Sequence, residues 1–342
     1  MPTSPPTPHT GSPADPHHEP RRADCPWCGG RRLRTRARAT PPRRRGPGTC
    51  AVQQCRDCGH AFQNPRLTAE GLALRHLAFY ASHLGDFADR ILSPGAVRRR
   101  HLAAAHAVLA LAEPESWLDV GTGHARFPET AREVLPYTSF DGLDPTPRVE
   151  QARRAGRVEE AHIGDLTNPW VLPRLRSRYD VVSVFHHLEH SPDPRAELRA
   201  ALAALRPGGL LLIELPDPRS LFGRLLGRRW LPYGQPRHLH LLPLANLCAE
   251  LEAQGCTILT TDRRAPHIPY DLSAALSLSL AQAPSFLRRA FGPAVAAASA
   301  LDHILAPLLR RTRFSNAYRV LARLDRAPGA GARRDQPRST SA

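Results

Sequence analysis

The 342-residue sequence contains no lysine, one methionine and four tryptophans, and all 47 of its basic residues are arginines. The absence of lysine excludes a P-loop of the G-x-x-x-x-G-K-[ST] type, because that loop reaches the nucleotide phosphates with a lysine. The all-arginine usage, together with 35 prolines and 23 glycines, is typical of a GC-rich coding bias.

Long uninterrupted apolar runs are also absent, which argues against a transmembrane segment. The first twenty residues lack the apolar core of a signal peptide. Seven cysteines are present, four of them in two close pairs, and this pattern favours metal binding over a disulfide scaffold. We therefore expect a cytoplasmic protein.

The formal net charge of +16 is concentrated at the two ends of the chain. Residues 1–45 carry ten arginines against three acidic residues, and residues 310–342 carry nine against two. A strong positive charge raises the question of a nucleic-acid or membrane partner. Because the middle of the chain is nearly neutral, nucleic acid is a partner that the charge allows but does not favour.

Composition and periodicity divide the chain into five segments. They are a disordered tail (1–22), a cysteine-pair module (23–64), a helical connector (65–113), an α/β domain (114–325) with a helical insertion (265–314), and a second disordered tail (326–342).

Strands and helices alternate through the α/β domain. The apolar runs predict strands at 117–120, 139–143, 160–163, 179–185 and 210–215, followed by further strands at 257–261 and 316–324. Strands that alternate with helices predict right-handed crossovers and a mostly parallel sheet. Ligands bind such a sheet at the carboxyl ends of its strands.

A glycine loop follows the first of these strands, in the stretch Leu118–Ala125 (LDVGTGHA). A dinucleotide site needs G-x-G-x-x-G, and here Arg126 stands at the third glycine position. Asp119, just before Gly121 and Gly123, is an unfavourable neighbour for phosphate and a favourable one for an ammonium group. The loop therefore predicts a cationic ligand without phosphate.

Five motifs in order resemble the class I S-adenosylmethionine-dependent methyltransferases over residues 114–262. They are LDVGTGHA (118–125), FDGLDP (140–145), HIGDL (162–166), YDVVSVFHHLEHSPDP (179–194) and LRPGGLLLIELP (205–216). The resemblance implies a Rossmann-like, three-layer α/β/α fold with a mostly parallel seven-stranded sheet. It also implies S-adenosylmethionine as the cofactor.

The same resemblance implies a role for each residue predicted to bind the cofactor. Asp119 pairs with the ammonium group of the cofactor, Asp144 holds the ribose hydroxyls, and Asp165 contacts the adenine amino group. The remaining contacts come from the glycine loop, from the segment beside the ribose and the adenine ring, and from the end of the fourth strand: Gly121, Gly123, Ala125, Pro145, Leu166, Phe185 and His186.

Three histidines are candidates for the general base that removes a proton from the methyl acceptor: His187, His190 and His238. The segment lacks the N/D-P-P-Y motif of N-methyltransferases that act on nucleic acid. It is similar to the LEH segment of quinone-biosynthesis O-methyltransferases, which implies a possible divalent cation near Glu189 and His190. The alternative interpretation is that Glu189 and His190 only brace the next helix.

Two C-x2-C-G motifs, CPWCGG and CRDCGH, place Cys25, Cys28, Cys55 and Cys58 as the four thiolates of a structural Zn²⁺ site in a zinc-ribbon-like module. His60 is an alternative ligand. The arginine-rich segment between the pairs suits either an RNA contact or a solvated, poorly ordered loop. We favour the loop, because no aromatic residues are interleaved for base stacking.

The apolar stretch 294–309, followed by arginines up to residue 313, predicts an amphipathic helix. Such a helix can lie on a membrane surface, close over an apolar acceptor or pack on the sheet, and packing is the commonest case.

We expect an enzyme that transfers the methyl group of S-adenosylmethionine to oxygen or nitrogen of a small molecule, with sugar- and lipid-related acceptors both open. The alternatives are an RNA methyltransferase that uses the ribbon, and a non-catalytic methyltransferase-like assembly module.

Overall fold

A computed structural model describes residues 17–39, 50–68, 70–72, 94–234, 238–281 and 283–325. Its strands are β1 (Leu33–Ala39), β2 (Cys50–Cys55), β3 (Ala61–Gln63), β4 (Ser116–Val120), β5 (Ser139–Asp144), β6 (Ala161–Ile163), β7 (Tyr179–Phe185), β8 (Leu205–Pro216), β9 (His240–Leu241), β10 (Cys256–Asp262) and β11 (Ala317–Leu324). Its α-helices are α1 (Pro94–Leu109), α2 (Arg126–Ala131), α3 (Arg148–Arg154), α4 (Leu172–Leu175), α5 (Pro194–Ala204), α6 (Leu221–Leu226), α7 (Leu231–Gly234), α8 (Leu244–Ala253), α9 (Asp271–Leu280), α10 (Ser285–Ala290) and α11 (Gly292–Leu309).

Seven strands form the larger sheet, in the order β10-β11-β8-β7-β4-β5-β6. Strands β8, β7, β4, β5 and β6 run parallel, and β11 runs antiparallel to both of its neighbours, β8 and β10. This confirms the predicted mostly parallel sheet. The carboxyl ends of β5, β4, β7 and β8 therefore lie side by side along one edge.

Side chains alternate between the two faces of this sheet and enter two separate apolar clusters. Leu118 and Val182 lie in one cluster with Leu198 of α5. Trp117 and Val181 lie in the other with Ala105 of α1. Each fully buried side chain of this size contributes about 1.5–3 kcal/mol. Helices thus cover both faces, which confirms the three-layer arrangement.

The smaller sheet has the order β1-β2-β3-β9 and is antiparallel throughout. Its first three strands belong to the cysteine module, but β9 comes from the second half of the chain. Ala61 pairs with Leu241, and Phe62 pairs with His240. The predicted module 23–64 is therefore completed by a strand from the α/β domain.

The loop between the two cysteine pairs differs from the prediction. Residues 33–39, expected to be a poorly ordered loop, form β1 and pair with β2. Residues 40–49 lie outside the described residues. Ala37 of β1 is buried, whereas Arg34 and Arg38 are exposed.

Part of the predicted N-terminal tail is ordered by contacts with the ribbon. His18 forms a β-bridge with Leu67, and Glu19 forms an ion pair with Arg66. Residues 17–22 thus do not follow the prediction of disorder, while residues 1–16 and 326–342 lie outside the described part of the chain. The same applies to residues 73–93 of the helical connector, whose described portion includes α1.

The elements next to the carboxyl edge of the large sheet begin and end close to the site residues. Helix α2 spans Arg126–Ala131. Thr146 donates its hydroxyl to Asp144, and α3 begins at Arg148. Strand β8 begins at Leu205, five residues before the predicted strand 210–215.

The insertion is helical, as predicted, and consists of α9, α10 and α11. Asp302 of α11 is buried and accepts hydrogen bonds from the backbone N–H groups of Leu272 and Ser273 in the first turn of α9, at 3.0 and 2.9 Å. This carboxylate satisfies N–H groups that an isolated helix leaves unpaired, and it fixes α11 against α9.

The opposite side of α11 is exposed. Leu301, Ile304 and Leu308 are 44%, 73% and 65% exposed, so the predicted packing on the sheet does not hold for this stripe. Helix α11 has 18 residues and is long and apolar enough to cross a membrane by length and composition alone. That criterion is weak evidence for a single helix, and Asp302 ties α11 to α9.

Candidate functional site

The glycine turn after β4 lies at the carboxyl edge of the large sheet. Gly121 and Gly123 have φ angles of +72° and +55°, in the left-handed region that glycine enters without a Cβ penalty. A Cβ on Gly121 would lie 2.6 Å from Nδ1 of His187, whereas a Cβ on Gly123 would meet no atom within 4 Å. The turn therefore packs against protein on one side and faces open space on the other.

Asp144 ends β5 beside this turn and is 8% exposed. Its Oδ2 accepts the backbone N–H of Gly123 at 2.9 Å, and its Oδ1 accepts the backbone N–H of Thr146 at 2.8 Å. The Thr146 hydroxyl also donates to Oδ1, so these bonds fix the carboxylate, and Oδ2 retains a further lone pair. Asp144, which we predicted to hold the ribose hydroxyls, is thus fixed at the carboxyl end of β5.

Asp119 lies one residue before the end of β4 and is buried. The Ser183 hydroxyl donates to its Oδ1 at 2.6 Å, and that hydroxyl in turn accepts the indole N–H of Trp117 at 2.8 Å. Burial raises the pKa of Asp119 to about 6, although the hydrogen bonds from Ser183 and Thr122 oppose the shift. A cation next to this carboxyl would restore its ionised form.

The other residues predicted to bind the cofactor differ in how exposed their side chains are. Asp165 and Pro145 are exposed at the rim of the edge. Leu166 and Ala125 have no exposed surface and belong to the apolar core, so the predicted contacts of these two residues with the cofactor are not available in this structure. The N–H of Ala125 is also occupied, because it donates to the Thr122 carbonyl at 2.9 Å.

Phe185 and His186 end β7 next to the glycine turn. Phe185 packs edge-on against Phe127, with ring centroids 4.6 Å apart. His186 has a φ of +49°, which costs a residue with a Cβ about 1–2 kcal/mol. Its Nδ1 lies 3.4 Å from Oε1 of Glu189. Backbone strain of this kind is concentrated at functional sites.

His187 packs between the glycine turn and α5. Its ring lies against Gly121, and its Nε2 lies 3.5 Å from Oε1 of the buried Glu197. Burial would lower the pKa of His187, but the hydrogen bond and the charge of Glu197 raise it above its usual value. In this structure the side chain supports the glycine turn, and a role of His187 as a base stays a prediction.

The other two predicted bases do come together. Ligand atoms of Glu189, His190 and His238 lie within 4.8 Å of one another, and the two histidine rings are 4.8 Å apart at their centroids. Nδ1 of His238 lies 2.9 Å from the Pro232 carbonyl oxygen, which can only accept. Neutral His238 therefore carries its proton on Nδ1 and its basic lone pair on Nε2.

Glu189 is buried. Burial would raise the pKa of its carboxyl group, but the hydrogen bond from His186 and the electrostatic attraction of His186 and His190 hold the pKa below its usual value. Its Oε2 is buried and has no hydrogen-bond partner among the described residues. An unpartnered carboxylate oxygen beside two imidazoles is a donor set suited to a divalent cation.

Sequence reasoning missed a buried ion triad behind the site. Glu214 of β8 accepts from Nε of Arg319 at 2.7 Å and lies 3.5 Å from Nε of Arg100. Its backbone carbonyl accepts the N–H of His186 at 3.0 Å. The only signal in the sequence is a glutamate in an otherwise apolar strand, LLLIELP. Its two arginine partners lie on α1 and β11 and share no local pattern with it.

The four predicted metal ligands meet in the ribbon. Sγ of Cys25 lies 3.8 Å from Sγ of Cys58, and Sγ of Cys28 lies 3.7 Å from that of Cys55. Four sulfurs placed tetrahedrally at about 2.3 Å from zinc are separated by about 3.8 Å, so the spacing fits Zn²⁺. His60 lies behind this set, with its Nδ1 3.6 Å from Sγ of Cys25.

Residues 96–261 match the family described as "Methyltransferase domain". The chain is 30% identical over 149 residues to a ubiquinone biosynthesis O-methyltransferase of Aeromonas salmonicida, covering 41% of this chain and 62% of that protein. It is 30% identical over 158 residues to an enzyme of the same name from Methylobacterium nodulans, covering 44% of this chain and 62% of that protein. These alignments thus span less than two thirds of either relative.

Two solved structures are also similar. The plantazolicin methyltransferase BamL is 12% identical with a TM-score of 0.48, covering 72% of this chain and 93% of that one. An O-methyltransferase family protein from Burkholderia thailandensis is 17% identical with a TM-score of 0.40, covering 55% of this chain and 56% of that one.

The matched residues include the glycine turn, Asp144 and the Glu189 cluster, all at one edge of a Rossmann-like sheet. Residues 96–261 are therefore similar to a methyltransferase domain, and they build this edge of the Rossmann-like sheet.

Proposed function

We propose that the protein transfers the methyl group of S-adenosylmethionine to an oxygen atom of a small molecule. The observation that carries the proposal is the arrangement of residues at the carboxyl edge of the large sheet. A left-handed glycine turn, with open space beyond Gly123, lies next to the fixed carboxylate of Asp144. Both lie on one side of the cluster formed by Glu189, His190 and His238. The O-methyltransferase names of the relatives support oxygen as the acceptor atom.

Several residues fit the cofactor. Oδ2 of Asp144 retains a lone pair for a ribose hydroxyl, and Asp119 ionises next to the ammonium group. When bound, the cofactor supplies an electrophilic methyl group. The chain has to align the acceptor and remove its proton.

Proton removal falls to His238 in this proposal. The bond to Pro232 keeps Nδ1 protonated, so Nε2 is the nitrogen that accepts a proton. Glu189 lies beside it, and the negative charge of a carboxylate there stabilises the imidazolium that results. If a divalent cation binds, Glu189, His190 and His238 would hold it, and it would lower the pKa of an acceptor hydroxyl.

In the ribbon, Cys25, Cys28, Cys55 and Cys58 would hold a structural zinc ion. The four thiolates leave no open coordination position for chemistry. We assign the ion a structural role. It would hold the two cysteine pairs together and so support the ribbon, whose strand β3 pairs with β9 of the α/β domain.

The cofactor site is tested by isothermal titration calorimetry with S-adenosylhomocysteine. Asp144→Asn removes the charge from the ribose contacts, and we expect the affinity to fall about tenfold or more. Asp141→Asn is the matched control, because Asp141 is a buried carboxylate of the same strand that bonds to Tyr179 instead. Equal affinity in the native protein and in Asp144→Asn, or tighter uptake of NAD or ATP, would contradict the proposal.

A further inference from the structure

A cleft of about 1030 Å³ lies between the ribbon and the large sheet. One wall is formed by β1 and β2, and another by the segment that follows β8. The third is formed by the segments after β10 and α11. None of the residues predicted to bind the cofactor lines it.

Eight arginines line this cleft, and they converge from all three walls. The ribbon contributes Arg34, Arg36 and Arg56. The segment after β8 contributes Arg219 and Arg224. The third wall contributes Arg263, Arg311 and Arg313. These eight arginines are spread over 280 positions of the sequence, and the fold brings them to one cleft.

The negative charge available to these arginines is small. Asp217 is the single acidic residue among the described lining residues, and its carboxylate bonds to Nε of Arg263 at 2.9 Å. In the described part of the chain, the other seven arginines form no ion pair. Nε of Arg36 is buried, and no described residue forms a hydrogen bond with it. Burial and the nearby positive charges of Arg36 and Arg56 lower the pKa of Arg34.

We propose that this cleft binds the diphosphate group of the methyl acceptor, an inference that rests on the proposed function. Arginine binds phosphate oxygens with paired, charge-assisted hydrogen bonds, and two linked phosphates use several arginines at once. The volume is at the upper end of the range for small-molecule sites, about 300–1,000 Å³.

The position of the cleft along the edge supports an acceptor that reaches from it to the methyl group. Asp217 follows β8, and the glycine turn follows β4, with β7 between them. Two strand spacings amount to about 10 Å. The Glu189, His190 and His238 cluster follows β7, so it lies between the cofactor turn and the arginines.

The lining disfavours RNA as the occupant. No aromatic side chain is present among the described lining residues, so unstacked bases would find no stacking platform. The arginines also face one another across a cleft instead of following a continuous surface stripe.

The test is titration of the zinc-loaded full chain, saturated with S-adenosylhomocysteine, with inorganic pyrophosphate at about 150 mM salt. The variant is Arg224→Gln combined with Arg313→Gln. The control is Arg288→Gln combined with Arg289→Gln, which removes the same charge from exposed positions on α10. We expect pyrophosphate binding to weaken at least about tenfold in the variant and less than about twofold in the control.

Absence of pyrophosphate binding to the native protein would overturn the proposal, as would equal losses in the two double variants. Orthophosphate binding as tight as pyrophosphate binding would contradict the assignment of a diphosphate. Tighter binding of a single-stranded RNA that competes with pyrophosphate would also overturn it. Binding of S-adenosylhomocysteine is measured separately, so that a failure of the proposed function is distinguished from a failure at the cleft.

Discussion

Three glycines with the same backbone conformation allow the cofactor position to be separated from simple strain. Gly121, Gly123 and Gly156 have φ angles of +72°, +55° and +71°. An alanine in the left-handed region costs about 1–2 kcal/mol. Substitution of each glycine by alanine therefore carries the same conformational penalty, and the variants differ only in what the new methyl group meets.

At Gly121 the methyl group meets the His187 side chain, with Cβ, Cγ and Nδ1 all between 2.6 and 2.8 Å away. His187 is itself held by Glu197, so it cannot move aside at low cost. Overpacking of this kind costs about 1–3 kcal/mol in addition. We expect Gly121→Ala to lower the free energy of unfolding by about 2–5 kcal/mol in total, as measured by urea denaturation.

At Gly123 and Gly156 the methyl group meets nothing within 4 Å. We expect both variants to lose the same stability, about 1–2 kcal/mol. Gly156 ends α3 at the surface and is the control, whereas the space beyond Gly123 is where the cofactor is placed. Calorimetry should therefore show Gly123→Ala binding S-adenosylhomocysteine at least about tenfold more weakly than Gly156→Ala, since a new methyl group would occupy ligand volume.

Two results would refute this reasoning. If Gly123→Ala binds S-adenosylhomocysteine as tightly as Gly156→Ala, the open side of the turn is not the cofactor position. If Gly121→Ala is no less stable than Gly156→Ala, the contact between the turn and His187 does not exist in solution.

Three further predictions concern charge and metal. Because burial raises the pKa of Asp119 from 3.8 to about 6, the free protein should lose stability as pH rises through this interval, and S-adenosylhomocysteine affinity should increase about tenfold between pH 5 and pH 7. Asp119→Asn should abolish this pH dependence, and an unchanged profile would contradict the assignment. Cys28→Ser should lose the zinc that a colorimetric release assay detects, whereas Cys248→Ser should keep it; zinc retained in both variants would exclude the four-thiolate site. Glu214→Gln should destabilise the fold by about 3–5 kcal/mol, because it leaves Arg100 and Arg319 buried without their counter-charge. The exposed Glu252→Gln should have little effect in the same urea titration, and comparable losses would show that the triad is not buried in solution.

The sequence was sufficient for the features that repeat locally. Alternation of apolar runs gave the parallel strands, and the C-x2-C spacing gave the four sulfur ligands. The motif order placed Gly121 and Asp144 at neighbouring strand ends, where the structure has them.

Features that depend on distant residues could not be read in this way. No sequence pattern next to His187 indicates that its side chain lies between Glu197 and Gly121. The arginines of β1 were interpreted as part of a solvated loop. The arginines that face them across the cleft lie up to about 280 residues away in the sequence, so no local pattern connects the two groups. Leu166 follows the adenine motif, yet it packs inward because the core cluster surrounds it on every side.

Strand β9 completes the sheet of the ribbon and so joins two parts of the chain that are far apart in sequence. His60, which lies behind Cys25, also stacks on His240 at a centroid distance of 5.2 Å, and His240 follows His238 by two residues. A metal-depleted ribbon would therefore loosen the residue that we propose as the base, and a chain shortened to begin at α1 would lack both that support and a wall of the arginine cleft. Zinc availability during synthesis would then decide what fraction of the molecules can turn over.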